Sequence, residues 1–243
     1  MAKTLAASAP SLLFRHVVQA RLEALFQRGA HLLHVGCGTG EETLALAARG
    51  IRVVGIDASP EMIHRARKSA AERGLRPEDC RFEVLGAENA DAAGAGFDGA
   101  YASFDTSGPV DLRAVGAALG ATLRGGAGVV LRLPGPWPLP AVIRRTLTGV
   151  GDERRRRASR FGEARPAVAT PAEARTALGA AFEWTDSYAL GVLVPGPAQE
   201  RWAADHPQTF GLLAALERAV RRWPGLRQLG DLSVLEGRRR EPA

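Results

Sequence analysis

The chain has 243 residues, enough for one large α/β domain and too few for two ordinary domains with a linker. Hydrophobic residues make up 46% and charged residues 24%, a globular balance that excludes wholesale disorder. The formal net charge is +6, but the arginines are scattered apart from the run Arg154 to Arg157, so nucleic acid is not the expected partner.

Apolar residues at Leu13, Val17, Leu22 and Phe26 predict an amphipathic leading helix from Ser11 to Gln27, within residues 1–30. Arg15 and His16 interrupt Leu12 to Val18, so this is no signal-peptide core, and no apolar run reaches membrane-spanning length. A cytoplasmic protein, monomer or homodimer, with no membrane partner is expected. His31 to Val35 reads as a buried strand that ends in glycines. A helix follows from Glu42 to Ala48, stopped by Gly50, and Ile51 to Ile56 is a second buried strand. Ser59-Pro60-Glu61 supplies an N-cap, a first-turn proline and a first-turn acid for a helix to about Arg73. Strands are predicted over Arg81 to Leu85 and Gly99 to Phe104. Leu112, Val115, Leu119 and Leu123 form a helical stripe ending at Gly125-Gly126, and Val129 to Leu133 is a fifth strand. Alternating strands and helices predict a doubly wound, Rossmann-like, mostly parallel sheet with helices on both faces.

Beyond the fifth strand regularity lapses. Pro134 to Ala169 is rich in Pro, Gly and Arg and too long for a plain connection, so a helix is expected around Leu139 to Leu147. Thr170-Pro171-Ala172-Glu173 is a capping box that starts a helix. Glu183 to Val194 reads as a sixth strand. Pro197 to Arg222 reads as one long helix with Leu213, Leu216, Val220 and Trp223 on one side, and Leu229 to Leu235 as a seventh strand. Trp202 and Trp223 are expected to pack in the core or an interface. Cys37 and Cys80 sit in no disulfide or metal spacing, so no metal is expected.

The chemistry concentrates where the first strand runs into Gly36-Cys37-Gly38-Thr39-Gly40 and then a helix. Glycines let the backbone pass close under a ligand, and a helix start offers free N–H groups. A dinucleotide fingerprint would place its third glycine at position 41, where this chain has Glu41. A carboxylate there repels a pyrophosphate, which disfavours an NAD-linked dehydrogenase and points to a cofactor without phosphates. Asp57, 21 residues after Gly36, ends the second strand, where a carboxylate accepts hydrogen bonds from both ribose hydroxyls. Together these features indicate an adenosine-containing ligand.

Val35-Gly36-Cys37-Gly38-Thr39-Gly40, Gly55-Ile56-Asp57-Ala58-Ser59-Pro60-Glu61-Met62 and Phe97-Asp98 resemble the cofactor motifs of class I SAM-dependent methyltransferases, over about residues 30–133. The second half resembles, more loosely, a bacterial group acting on small molecules. The resemblance implies a seven-stranded sheet with an antiparallel last strand. It implies that Gly36, Cys37, Gly38, Thr39 and Gly40 pass beneath the methionine part of S-adenosyl-L-methionine and that Asp57 holds the ribose. Ala58 and Met62 would pack on adenine, and Ser103 and Phe104 would lie beside the sulfonium. The product would be S-adenosyl-L-homocysteine.

Two positions depart from the family. His34 stands where an acid usually helps hold the cofactor's ammonium group, a Coulomb loss of about 1 kcal/mol for a partly solvated pair. Glu41 or Glu42 is a candidate replacement. At Gly86-Ala87-Glu88-Asn89 the acid that would bind the adenine amino group is shifted from Ala87 to Glu88. A degenerate SAM-binding protein without catalysis is thus the alternative from another class, and an RNA methyltransferase the rival enzyme.

Methyl transfer from a sulfonium is an in-line displacement governed by orientation and exclusion of water, with a general base only where the acceptor demands one. Asp105, beyond the fourth strand's carboxyl end, is the first candidate base, followed by His206, His16 and Tyr101. His64 reads as a surface residue. Residues 134–175 are expected to form a cap over the acceptor site, with Trp137 to Arg165 at its heart. The run Arg154 to Arg157 reads as a solvated face or, more sharply, as a patch that attracts an anionic acceptor or an acidic carrier protein bearing it.

Overall fold

The computed structural model describes residues 9–104, 110–135, 170–194 and 200–241. Helix α1 (Ala9–Leu25) leads into β1 (His31–Val35), α2 (Glu41–Ala47), β2 (Arg52–Asp57), α3 (Pro60–Glu72) and β3 (Cys80–Val84). A 3-10 helix (Ala87–Ala93), β4 (Phe97–Ser103), α4 (Leu112–Thr122) and β5 (Leu123–Pro134) follow. The described remainder comprises α5 (Pro171–Leu178), β6 (Phe182–Leu190), α6 (Glu200–Asp205), α7 (Pro207–Val220) and β7 (Leu232–Arg239).

The seven strands form one sheet in the order β3-β2-β1-β4-β5-β7-β6. Only β7 opposes the rest: it is antiparallel to both β5 and β6. The doubly wound fold with a reversed last strand is therefore present. Strand order turns at β1 and β4, which pair with each other while the chain winds outward on either side. The carboxyl ends of β1 and β4 thus flank a switch-point crevice, where open α/β sheets bind ligands.

Strand alternation explains how both faces of the sheet are covered. Leu33, Val35, Ala100, Leu131 and Leu133 pack with α4, the 3-10 helix and α5 on one face. Leu32, Tyr101 and Val130 pack with Phe14, Val18 and Leu22 of α1 on the other. The fully buried stripe of α1 is Phe14, Val18 and Leu22, while the sequence-predicted Leu13 and Val17 are only partly buried. Helices α2 and α3 share α1's side through a third cluster around Phe82. In β6 an irregularity between Trp184 and Asp186 switches faces, so Phe182 joins the first core and Tyr188 and Leu190 the second.

Several boundaries differ from the sequence reading. Strand β5 starts at Leu123, directly after α4, because buried Leu123 pairs with Phe97 before a register shift leads to Gly99 opposite Gly128. The predicted long helix is two, divided at His206 (φ −130, ψ 59), because Pro207 is tolerated only in a helix's first turn and forces the preceding residue out of helical geometry. Strand β6 ends at Leu190 and β7 extends to Arg239. The helix expected at Leu139 to Leu147 lies outside the described residues. The capping box at Thr170 is formed, each partner receiving a backbone N–H.

The apolar stripe expected on α7 is not its anchor. Leu216 is 46% and Trp223 59% exposed, which removes Trp223 from the core. The buried residue of α7 is Glu217, 3% exposed. Its carboxylate accepts the backbone N–H groups of Gly191, Val192, Leu193 and Val194 at 2.7, 3.0, 2.7 and 3.3 Å. These residues follow β6 at the ligand edge of the sheet, and one side chain satisfies the whole run of donors. Glu217→Ala leaves them buried without an acceptor and is expected to lower unfolding free energy by about 3 kcal/mol or more. Glu217→Gln, which brings N–H donors against donors, is expected to lower it too; urea unfolding of both variants measures this.

Candidate active site

Each loop glycine has a positive φ: 69° at Gly36, 54° at Gly38 and 82° at Gly40. Their surroundings differ. A Cβ on Gly36 would stand 2.3 Å from the Ser103 carbonyl oxygen, so the loop lies flush on the end of β4. A Cβ on Gly40 would meet the Phe82 ring at 2.9 Å as the chain enters α2. Among the described residues nothing lies within 4 Å of where a Cβ would stand on Gly38, so the loop's open side is there. Cys37 is buried beside Gly55 and Phe82; burial and the nearby Asp57 charge push its thiol far above the ordinary range. Its side chain is a packing group, facing away from the open side.

Asp57 fastens this loop. Its Oδ2 accepts the Gly38 N–H at 2.9 Å and its Oδ1 accepts the Ser59 N–H at 2.9 Å. Each carboxylate oxygen retains acceptor capacity. Ser59 caps α3, so Ala58, exposed, and Met62, half-buried, border the Asp57 carboxylate. Ala87 begins the 3-10 helix after β3, and Glu88 Oε1 accepts the Asp111 N–H at 3.1 Å, tying that helix to the N-cap of α4. Thr39 is half-buried within the loop, and Ser103 and Phe104 are buried at the end of β4. The sequence-predicted cofactor residues thus converge on one edge of the sheet.

His34 is 1% exposed, its Nδ1 2.7 Å from Thr43 Oγ1 and its ring 4.6 Å from the Tyr101 ring. Tyr101 is buried between that imidazole and the guanidinium of Arg132, 5.9 Å from the ring centre. Sequence reasoning missed Arg132. It donates from Nη2 to Ser103 Oγ at 2.7 Å, and its Nη1 lies 3.7 Å from Glu42 Oε1. The signal was an arginine inside the apolar run Val129 to Leu133, near the carboxyl end of a buried strand. Glu41, by contrast, pairs with Arg15 of α1.

Of the candidate bases, Asp105 lies outside the described residues, as do Trp137 to Arg165 and the Arg154 to Arg157 run within the expected cap. His16 is exposed on α1. His206 is exposed where α6 meets α7, stacked on Trp202 with ring centres 5.1 Å apart and Nδ1 3.0 Å from the Trp202 carbonyl. His64 is exposed on α3. Among the described residues no group of His, Cys, Asp and Glu is arranged to hold a metal ion, and no helix is long and apolar enough to cross a membrane. A cavity of about 310 Å³ lined by Glu23, Phe26, Gln27, Arg28, Arg49 and Ile51 opens near the amino-terminal edge, away from this chemistry.

Residues 32–126 match the methyltransferase domain family. The chain is 35% identical over 74 residues to an S-adenosyl-L-methionine-dependent Diels-Alderase of Talaromyces variabilis, covering 30% of this chain and 25% of that protein. It is 34% identical over 105 residues to an O-methyltransferase of Penicillium expansum, covering 43% and 38%. The alignments therefore span about a quarter to two fifths of these relatives' lengths. A geranyl diphosphate methyltransferase solved with SAM superposes with a TM-score of 0.60 at 18% identity, over 95% of this chain and 85% of that one. Residues 32–126 thus match a methyltransferase domain, on a sheet folded like that of the SAM-bound neighbour. S-adenosylmethionine is the cofactor that such domains take.

The two glycines separate fold from ligand passage. Gly36→Ala drives a Cβ into a backbone carbonyl and is expected to cost about 3 kcal/mol or more, whereas Gly38→Ala bears only the left-handed penalty of about 1 kcal/mol. Chemical denaturation of the ligand-free variants distinguishes the two.

Proposed function

We propose that the protein transfers a methyl group from S-adenosylmethionine to a small-molecule acceptor, within the cytoplasm. The carrying observation is Asp57: its two oxygens each hold one backbone N–H of the flanking turns and keep capacity for one ribose hydroxyl apiece. The open side at Gly38 fits a ligand backbone passing close over the loop. The phosphate-free cofactor agrees with Glu41 in the position where a pyrophosphate would sit. Small-molecule chemistry is supported by the names of the relatives, which include an O-methyltransferase and a geranyl diphosphate methyltransferase.

When bound, the cofactor supplies an electrophilic methyl group on a sulfonium. The chain's own work is to orient that group and exclude water. Gly36 against Ser103 fixes the loop's height over β4, and Asp57 fixes its distance from β2. Met62 and Ala58 offer an apolar flank for adenine, and Glu88 a carboxylate for its amino group. Phe104, buried beyond Ser103, would stand with it beside the sulfonium. An alcohol, phenol or carbon acid needs a base, a role assigned on sequence position to Asp105; a neutral amine needs none.

Calorimetric titration with S-adenosylmethionine and S-adenosylhomocysteine tests the cofactor, and labelled methyl transfer to an acceptor panel tests the reaction. Asp57→Ala is expected to weaken both nucleosides about a hundredfold, the worth of two charge-assisted hydrogen bonds with some solvent competition. Absence of heat and of thermal protection at millimolar cofactor overturns the assignment; tight binding without turnover on any acceptor leaves a binding protein without catalysis.

The acceptor is assigned on sequence grounds to the segment leaving β5 at the ligand edge, within residues 134–175. Reversing the four charges of Arg154 to Arg157 is expected to raise KM for an anionic or carrier-borne acceptor several-fold at low salt and less at high salt, because exposed charges are screened. An unchanged KM at low salt removes the anionic acceptor.

A further inference from the structure

Helix α7 presents an unbroken apolar stripe to solvent. Leu212, Leu216 and Ala219 follow one another at spacings of four and three, which puts them on one face, and Ala215 lies beside them. All four are exposed. The chain keeps turning past the helix end, where the Trp223 N–H donates to the Val220 carbonyl at 2.9 Å, and Trp223, four residues beyond Ala219, extends the stripe. Five large apolar side chains stand exposed among the described residues, and three of them, Leu212, Leu216 and Trp223, belong to this stripe. Glu217 turns its own side of the helix inward, so packing against the sheet leaves the stripe uncovered.

The charge around the stripe has one sign. From His206 to Gly230 the only carboxylate is Glu217, which is buried and engaged by four backbone N–H groups. The same span carries Arg218, Arg221, Arg222 and Arg227. Arg218 and Arg222 are exposed; Arg222 gives one nitrogen to Asp186 at 3.1 Å and keeps donors to spare, whereas Arg221 lies over the Tyr188 ring at 5.4 Å. An apolar stripe edged by arginines excludes a basic partner. It disfavours a second copy of this chain too, since each copy would bring the same arginines. One face of a 14-residue helix also covers far less than the roughly 800 Å² per partner of a stable interface. The outer face of a single helix is convex and gives a folded partner no pocket to fill. A fluid apolar layer needs none.

We propose that α7 is a surface anchor that lies on a bilayer carrying anionic lipids. Leu212, Leu216 and Trp223 enter the boundary between headgroups and acyl chains, and Arg218 and Arg222 meet lipid phosphates. Tryptophan suits that boundary, because its ring is apolar and its N–H stays wet. No apolar run spans a membrane, which is why the sequence predicts no membrane partner; a helix lying on the surface needs one apolar face and no such run. The anchor is independent of the cofactor reading above.

The full chain is floated with vesicles of phosphatidylcholine alone, or of phosphatidylcholine and phosphatidylglycerol in equal parts. Binding is expected to the mixed vesicles, to fall as salt rises, and to be about tenfold weaker or more on phosphatidylcholine alone. Leu212→Glu and Trp223→Glu are each expected to lower partitioning about tenfold, and Arg218→Glu about fivefold. All three sites are exposed, so each variant is expected to keep the thermal unfolding of the unaltered protein, and any one that folds decides the matter. Phosphatidylcholine brominated on its acyl chains, included in the mixed vesicles, is expected to quench tryptophan emission, and Trp223→Phe to remove most of that quenching. Absence of binding to the mixed vesicles overturns the proposal, as does binding that all the variants retain. A dimer found by sedimentation velocity without lipid, and split by Leu212→Glu, assigns the stripe to a second copy. Binding to soluble polyglutamate without quenching by brominated lipid assigns it to an acidic protein. Either outcome overturns the bilayer.

Discussion

The contact on which the site depends is that between Gly36 and the backbone of Ser103. With no Cβ at Gly36, the loop leaving β1 rests directly on the end of β4, at a distance no other residue permits. The contact sets the height of the loop above the sheet, and Asp57 then sets its lateral position through Gly38. Neither interaction is a large source of stability by itself. Their consequence is geometric: three strands, β1, β2 and β4, are brought to bear on five consecutive residues. A ligand meeting that loop meets a surface already organised, so little ordering entropy remains to be lost on binding.

The face covered by α1 and α2 differs in kind from the opposite face. Around α4 and α5 the core is mainly hydrocarbon, with Thr122 bonded back to the Ala118 carbonyl of its own helix. Beneath α2, near the ligand edge, it becomes polar: His34 on Thr43, Tyr101 beside His34, Arg132 on Ser103 and facing Glu42. Buried polar groups cost free energy unless they are satisfied, so such a cluster is held together by specific pairings rather than by packing alone. It lies at the carboxyl ends of the central strands, where ligands approach open α/β sheets. The exposed pair Arg15–Glu41 lies at the margin of the same region and links α1 to the start of α2.

How much of this was legible in the sequence follows from the range of the interactions involved. The β1–loop–α2–β2 unit could be read because strand, glycines, helix cap and Asp57 lie within 27 consecutive residues and are dictated by local geometry. Ser59 before Pro60, and Thr170 before Pro171, announced their helices for the same reason. The start of β5 was missed because Leu123 is drawn from helix into sheet by its pairing with Phe97, a partner 26 residues away. The break at His206 was legible in principle, since Pro207 forbids a continuous helix, and was outweighed by an apolar periodicity that the structure does not use. Arg132 carried a visible mark, a charge inside an apolar strand. Its partners, Ser103 and Glu42, come from separate elements that only the fold brings together.

Glu217 shows why the later part of the chain resists reading by hydrophobic pattern. The buried residue of helix α7 is a carboxylate that accepts backbone N–H groups of the segment after β6, so leucines at helical spacing on its surface say nothing about which side faces inward. Glu217 engages only the backbone of residues 191–194, so partly exposed Leu193 can change its side chain without losing that anchor, whereas Val192 and Val194 are buried. Gly191 is constrained as well, with φ 78° and a Cβ position 2.8 Å from the Phe14 ring. The segment after β6 is therefore held in space by one side chain acting on its backbone, at the same edge of the sheet as the glycine loop.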